Sequence, residues 1–224
     1  MSRPEVQGGS GLDALVDAAV RDMPNDRRRV VGIAGAPGAG KTTMALTLLK
    51  AVRARHGDGF AAHLPMDGFH LADAQLDRLG LRERKGAPET FDRDGYAACL
   101  ARVRASREEV YVPGFERDLE QPLAAALLVP AGSALVVSEG NYLLLDGWER
   151  AREQFDEVWF VDLDPVVRAE RLVARHREHG KSEEEARAWV AAVDEVNAAL
   201  VSELRLRADR AVLNSPDGWL LVDV

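Results

Sequence analysis

The chain has 224 residues, 46% of them hydrophobic and 29% charged. It can bury a sizeable core, which excludes a disordered chain and a small disulfide-stapled scaffold. Its 29 Lys+Arg against 37 Asp+Glu leave a formal charge of −8, so no extended basic surface serves nucleic acid and any bound anion must be held locally.

Residues 1–11 carry Gly, Ser and Pro without periodicity and are expected to be mobile. Leu12, Leu15, Val16, Ala19 and Val20 then recur at helical spacing, predicting a short helix that ends near Pro24. An apolar run at 30–34 reads as a strand, followed by a Gly-rich turn and a helix to about His56. Residues 60–66 read as a second strand, 109–112 as a short one, and 134–138 and 158–161 as buried ones. Between them lie helical stretches at 71–79, 94–105 and 165–178. Ser182 with Glu185 forms a capping box for a helix expected to run to about Leu204. Strand-like segments at 210–213 and 219–224 close the chain. Strands alternating with helices predict an α/β fold: a mostly parallel sheet with helices on both faces and ligands at the carboxyl ends of the strands. No repeat divides the chain, so one domain over 12–224 is expected.

The single cysteine, Cys99, cannot form an internal disulfide, and a reducing, cytoplasmic setting is expected. The apolar run 123–129 is far shorter than the roughly 20 residues a membrane helix needs. Glu5, Asp13 and Asp17 interrupt the stretch where a signal peptide would be apolar. No membrane association is expected.

The strongest chemical signal is Gly35, Ala36, Pro37, Gly38, Ala39, Gly40, Lys41, Thr42, which fits G-x-x-x-x-G-K-[ST] and is followed by Thr43. Glycines let backbone N–H groups turn inward around phosphate oxygens, and the following helix aims its positive end at them. Lys41 can reach the β- and γ-phosphates, and the Thr42 hydroxyl can ligate Mg²⁺. ATP binding is the expectation. Asp67 stands at the end of the second strand in Met66-Asp67-Gly68-Phe69-His70. A carboxylate there can accept the proton of an attacking hydroxyl, although an Asp-Gly pair can equally be only a turn.

These elements, with Arg84-Lys85-Gly86-Ala87-Pro88-Glu89-Thr90-Phe91-Asp92 and Val136-Val137-Ser138-Glu139-Gly140-Asn141, make the chain resemble the phosphoribulokinase/uridine kinase family of P-loop kinases. The spacing from Asp67-Gly68-Phe69 to Lys85-Gly86-x-Pro88-Glu89-x-Phe91-Asp92 is similar to type I pantothenate kinases, and Met-Asp-Gly-Phe-His with Glu-Gly-Asn-Tyr is similar to bacterial nucleoside kinase-like and fructokinase-like proteins. The resemblance implies a three-layer P-loop sandwich with a helical lid, and ATP-dependent phosphorylation of a hydroxyl on a small metabolite. It implies Asp67 as base and Glu139, with Thr42, at the metal. Glu139 read alone could also be solvated or cap a turn. Homodimers are common in the family.

Arg168, Arg171 and Arg175 fall at i, i+3 and i+7 of one predicted helix, which resembles the lid of small-molecule kinases over about 168–185. Arg171 and Arg175 are the candidate charge-stabilising arginines; a solvated helix with Leu172 inward is the alternative. By the same resemblance Lys85, Asp92, Arg117, Asp118, Tyr142, Asp194 and Asn197 fall where family members hold the acceptor. Arg117 and Asp118 could equally be a surface ion pair. Asp194, Asn197 and Val201 stand where pantothenate kinases carry three Asn, residues 113–118 replace a Tyr- and His-bearing segment, and the chain is shorter than theirs. Nucleoside, sugar and pantothenate-like alcohols stay open as acceptors. A nucleotide-dependent ATPase or GTPase switch is the rival class, against which no Asn-Lys-x-Asp guanine-reading motif occurs.

Four tryptophans (Trp148, Trp159, Trp189, Trp219) are read as packing residues and Cys99 as an inert core thiol. His70 is read as substrate-facing or bonded to backbone, and Glu183, Glu184 and Glu185 as first-turn charges favourable to the helix dipole.

Overall fold

A computed structural model describes residues 11–222 and Val224. The mobility expected for the N-terminus falls on residues 1–10, outside the described residues; Gly11 itself opens a helix.

The chain runs α1 (Gly11–Ala19), β1 (Arg29–Gly35), α2 (Lys41–His56), β2 (Ala61–Pro65), α3 (Asp73–Leu79), α4 (Arg93–Ala105), β3 (Val110–Glu116), β4 (Gln121–Val129), β5 (Leu135–Glu139), α5 (Glu149–Arg152), β6 (Glu157–Asp162), α6 (Pro165–Glu178), α7 (Glu183–Trp189), α8 (Glu195–Ser202), β7 (Arg210–Ser215) and β8 (Gly218–Val222). The main sheet has the order β2-β5-β1-β6-β7-β8. All its pairings are parallel except β7 with β8.

β1 lies in the middle of this sheet and all seven of its residues are buried: the apolar run from Val30 is covered on both faces, and Arg29 at its start pairs with Glu157 at 3.1 Å. Alternate residues feed two cores. Val31, Ile33, Leu135, Val137, Trp159 and Val161 pack with α1 and α2. Val30, Ala34, Val136, Val158 and Phe160 pack with α4, α5 and the end of α8. The three-layer sandwich follows. Trp159 is fully buried at its centre, where truncation to Ala costs about 3–5 kcal/mol.

Helix boundaries follow local chemistry. Asp164 caps α6 by accepting from the N–H groups of Val166 and Val167, with Pro165 in the first turn. Ser182 and Glu185 form the expected capping box at α7. The helix does not run unbroken to residue 204: Val190–Asp194 forms a π-helical turn before α8.

The larger departure is a second, two-stranded sheet. The short strand expected at 109–112 extends to Glu116 and pairs antiparallel with β4, which sequence patterning does not reveal. Pro113, without an N–H, lies where the register shifts between Val112 and Gly114. Both ends of this hairpin are tied down by Arg28, fully buried at the base of β1. Its guanidinium donates to Glu108 O at 2.8 Å and Pro130 O at 2.9 Å, and to Val103 O and Ser133 O at 2.9 and 3.0 Å. The hairpin therefore stands fixed beside β2.

Candidate active site

The Gly-rich turn joins β1 to α2 at the carboxyl end of the sheet. Gly38 (φ 79°) and Gly40 (φ 95°) take left-handed backbone. Each is also crowded: a Cβ on Gly38 would lie 2.7 Å from Leu172 Cγ of α6, and one on Gly40 2.8 Å from Asn214 Nδ2 of β7. Asn214 Nδ2 donates to Ala39 O at 2.9 Å, so the far edge of the sheet holds the loop's shape. Ala36 and Ala39 are buried beneath it. Lys41 Nζ donates to Ala36 O at 3.0 Å. Burial lowers its pKa to about 8, with the Glu139 and Asp67 carboxylates pulling the other way.

Glu139 closes β5 and is buried, aligned with Ile33 of β1 and Pro65 of β2. The Thr42 hydroxyl donates to Glu139 Oε2 at 3.2 Å. The two residues expected at the metal are thus adjacent; Thr43 follows them, exposed on α2. A hydroxyl and a carboxylate beside a phosphate loop form an oxygen donor set that fits Mg²⁺, which takes few protein ligands and completes its shell with phosphates and water.

Asp67 sits in a one-turn 3₁₀ segment, Met66–Phe69, directly after β2. Gly68 has no left-handed backbone here; the turn needs it for a different reason. A Cβ at Gly68 would lie 2.5 Å from Pro113 O, so the glycine lets the Asp67 turn dock against the hairpin. From that hairpin Arg117 Nη2 donates to Asp67 Oδ2 at 2.8 Å. This replaces the neighbour pair with Asp118 considered above; the Asp118 N–H bonds the Glu116 carboxylate instead.

A pocket of about 340 Å³ opens between Thr42, His63, Asp67 and Glu139 on the sheet side and Phe115 and Arg117 on the hairpin side. Apart from Arg117, the hairpin wall, including Phe115 and Leu127, is missed by sequence reasoning, and so is His63. His63 sits in an apolar strand without a motif, and nothing in its spacing marks it.

The remaining acceptor candidates are dispersed. Lys85 pairs with Asp73 at 2.7 Å, bonds Glu120 O and lies over the Phe115 ring, at the outer side of the hairpin. Asp92 is exposed and caps α4 by accepting from Gly95 N at 2.9 Å. Tyr142 is a fully buried core residue whose hydroxyl donates to Gly86 O at 2.5 Å. Asp194, in the π turn, accepts from His176 Nε2 at 2.8 Å, and Asn197 is buried one turn on. Of the acceptor candidates, Asp67 and Arg117 line this pocket and Lys85, Asp92, Asp118, Tyr142, Asp194 and Asn197 do not.

On α6, Leu172 points inward and Arg171 and Arg175 are exposed. Arg171 Nη1 comes within 3.8 Å of where a Gly40 Cβ would stand, and Arg175 is near enough to disfavour the Lys41 charge. Arg168, the third arginine of that series and not one of the two charge-stabilising candidates, is the buried one. It donates to Pro37 O at 3.3 Å and to both Glu195 carboxylate oxygens at 2.8 Å, joining α6 to the phosphate loop and to α8. His70 is bonded to backbone through Nδ1 and Asp67 O at 2.9 Å. Trp148 and Trp159 are buried packing residues, and Trp189 and Trp219 are half-buried. Cys99 packs at the edge of the core and burial raises its pKa, as an inert thiol requires.

A parallel α/β sandwich with a phosphate loop after its first strand, carboxylates at two neighbouring strand ends and an arginine-bearing helix over the loop defines a P-loop kinase. No family model matches the chain. A Schizosaccharomyces pombe protein carrying a uridine kinase name, C227.14, is 33% identical over 186 residues, covering 79% of each chain. The ATP-dependent kinase-like protein notR' of Aspergillus versicolor is 32% identical over 166 residues, 69% of this chain and 95% of that one. The crystal structure of a fructose transport system kinase from Silicibacter sp. TM1040 superposes with a TM-score of 0.81 at 34% identity, covering 93% of this chain and all of that one. The chain belongs to the uridine kinase-like P-loop kinases and is an ATP-dependent phosphotransferase acting on a small molecule. Among the described residues no helix is long and apolar enough to cross a membrane.

Proposed function

We propose that the chain transfers the γ-phosphoryl group of ATP to a hydroxyl of a small, uncharged, hydroxyl-rich acceptor, a sugar or the ribose of a nucleoside, bound between Asp67 and the β3–β4 hairpin. The observation carrying this reading is that Asp67, Thr42 and Glu139 line one pocket next to the phosphate loop. At about 340 Å³ it lies at the small end of ligand pockets. Its charged lining is Asp67, Glu116 and Glu139 against Arg117. Carboxylates only accept hydrogen bonds, so they suit a donor-rich neutral molecule and repel a carboxylate-bearing acceptor such as a pantothenate-like acid. The uridine and fructose names of two relatives fit the same chemistry.

In this reading Lys41 and the loop amides hold the β- and γ-phosphates. The acceptor O–H gives its proton to the Asp67 carboxylate as its oxygen bonds the γ-phosphorus and ADP leaves. Arg117 orients Asp67 and meets the acceptor, while Arg171 and Arg175 neutralise charge on the transferred group as the lid, about 168–185, closes. Mg²⁺ held by Thr42 and Glu139 would supply charge neutralisation at the phosphates. Asp194 and Asn197 belong to the helix packed behind the lid, and Lys85 and Asp118 to the hairpin's outer rim. Residues 12–224 act as one kinase domain. The lone Cys99 supports a reducing, cytoplasmic setting, and a homodimer is the assembly the resemblance implies.

The test is an acceptor panel with ATP and Mg²⁺, reading phosphorylated product by mass. A sugar or nucleoside is expected to outpace pantothenate and other hydroxy acids. Preference for an anionic acceptor, or slow hydrolysis altered only by a second protein, contradicts the reading.

A further inference from the structure

His63 lies on β2, the edge strand of the main sheet, on the face that Ala61 shares with α2. Its Nε2 is buried from solvent and has no hydrogen-bond partner. Glu139 Oε1 is 3.7 Å from it, too far for a hydrogen bond. Yet the ring lines the pocket that holds Asp67, Thr42 and Glu139. Strand positions of this kind favour a β-branched apolar residue, which would pack against Val137 without any orphaned polar atom. An unpaired buried ring nitrogen destabilises the fold unless something completes it. The pocket that His63 lines can supply that partner, while β5 pairs along one edge of β2 and Ala61, on the same face, packs into the α2 core.

We propose that His63 is an acceptor-specificity residue, whose Nε2 hydrogen-bonds a second hydroxyl of the molecule that Asp67 deprotonates. The inference rests on the reading of the pocket as the acceptor site for an uncharged polyhydroxy molecule. Neutral imidazole offers one N–H and one lone pair, so Nε2 can take either role with a hydroxyl. The two residues divide the labour: Asp67, just past the end of β2 and bonded to Arg117, meets the reacting oxygen, and His63, four residues earlier on β2, fixes which neighbouring hydroxyl must be present. A site built to bond a substrate hydroxyl discriminates strongly against analogues lacking it.

The experiment measures steady-state kinetics of the full chain with D-fructose, uridine and their singly deoxygenated analogues, for the parent, His63→Leu and His63→Gln. Thermal melting checks that each variant is folded. For the accepted substrate, His63→Leu is expected to raise acceptor KM about tenfold, the loss of one hydrogen bond to a buried partner. The KM for ATP and the Mg²⁺ requirement should stay unchanged. One deoxy analogue should be rejected by the parent but treated by His63→Leu no worse than the full substrate. Gln, which keeps a donor and an acceptor, should recover part of the lost affinity. An unchanged acceptor KM, or an effect confined to the Mg²⁺ requirement, overturns the assignment and makes His63 a neighbour of Glu139 only. If neither D-fructose nor uridine is phosphorylated by the parent, the reading of the pocket falls and His63 with it. Turnover of the parent with no discrimination among deoxy analogues overturns the His63 role alone.

Discussion

Arg117 Nη2 of the β3–β4 hairpin donates to Asp67 Oδ2 at 2.8 Å, so the carboxylate proposed to take the acceptor proton is held by a side chain from a different sheet. An arriving hydroxyl must share or displace this contact. Arg117 is half exposed, and exposed ion pairs contribute only about 0–1 kcal/mol to stability. Arg117→Ala should therefore melt within a few degrees of the parent and bind ATP unchanged, while acceptor KM rises and kcat falls. Equal acceptor kinetics in the two proteins would show that the pair plays no part in turnover.

Gly68 tests whether the hairpin's docking matters. A Cβ at this position meets backbone, 2.5 Å from Pro113 O and 2.7 Å from its carbon, and backbone cannot swing aside. Gly68→Ala should destabilise the fold by about 1–3 kcal/mol. It should also reduce acceptor turnover more than ATP binding, because the wall that moves is the acceptor's. Chemical denaturation and paired binding and turnover assays distinguish this from uniform damage.

Lys41 gives a pH signature. Burial lowers its pKa to about 8 from 10.5. Below pH 8 it is protonated in both folded and unfolded chains, and the buried charge opposes folding. Between about 8 and 10.5 the folded protein has released the proton while the unfolded chain keeps it, so stability rises with pH. Lys41→Met lacks this rise. At pH 7 the ligand-free variant should be more stable than the parent, by up to about 3 kcal/mol, with the gap closing toward pH 10. Tyr96 and Tyr142, whose pKa values burial raises, act from the top of that window upward, with the opposite sign and equally in both proteins. Parallel denaturation curves at pH 7 and 9.5 decide the matter; a constant gap contradicts the account.

Glu139→Gln keeps the size of the side chain and removes its charge next to Thr42. If this pair holds Mg²⁺, turnover should need about tenfold more free Mg²⁺ or greater, with the fold intact by melting temperature. Superimposable Mg²⁺ titrations would remove Glu139 from the metal site.

The sequence makes the phosphate loop, the capping box at Ser182 and the start of α6 legible because each is written in neighbouring residues: glycines at required turns, an oxygen three residues before its partner, Asp164 ahead of Pro165. Asp67 and Glu139 are legible as candidates because each stands at the end of an apolar strand, and Thr42 because it closes the phosphate-loop motif. What stays hidden is non-local. β3 and β4 contain Pro113, Gly114 and an Ala-rich run, so neither shows strand alternation until the partner is present. The π turn keeps the same helical pattern on both sides, and one extra residue in its turn leaves no compositional mark. Arg168 looks like its exposed neighbours Arg171 and Arg175, and only the position of Glu195 across the helix pair makes it the buried one. Tyr142 sits in a motif shared with the family, yet its ring packs in the core against Phe91 and Trp148.

The most direct test of the central claim compares Asp67→Asn with the parent for ATP binding and for transfer of labelled γ-phosphate to the acceptor found by the panel. The account predicts that the variant binds ATP nearly as the parent does and loses turnover by about 10²-fold or more, the range assigned to a positioned general base. Transfer at the parental rate would contradict it.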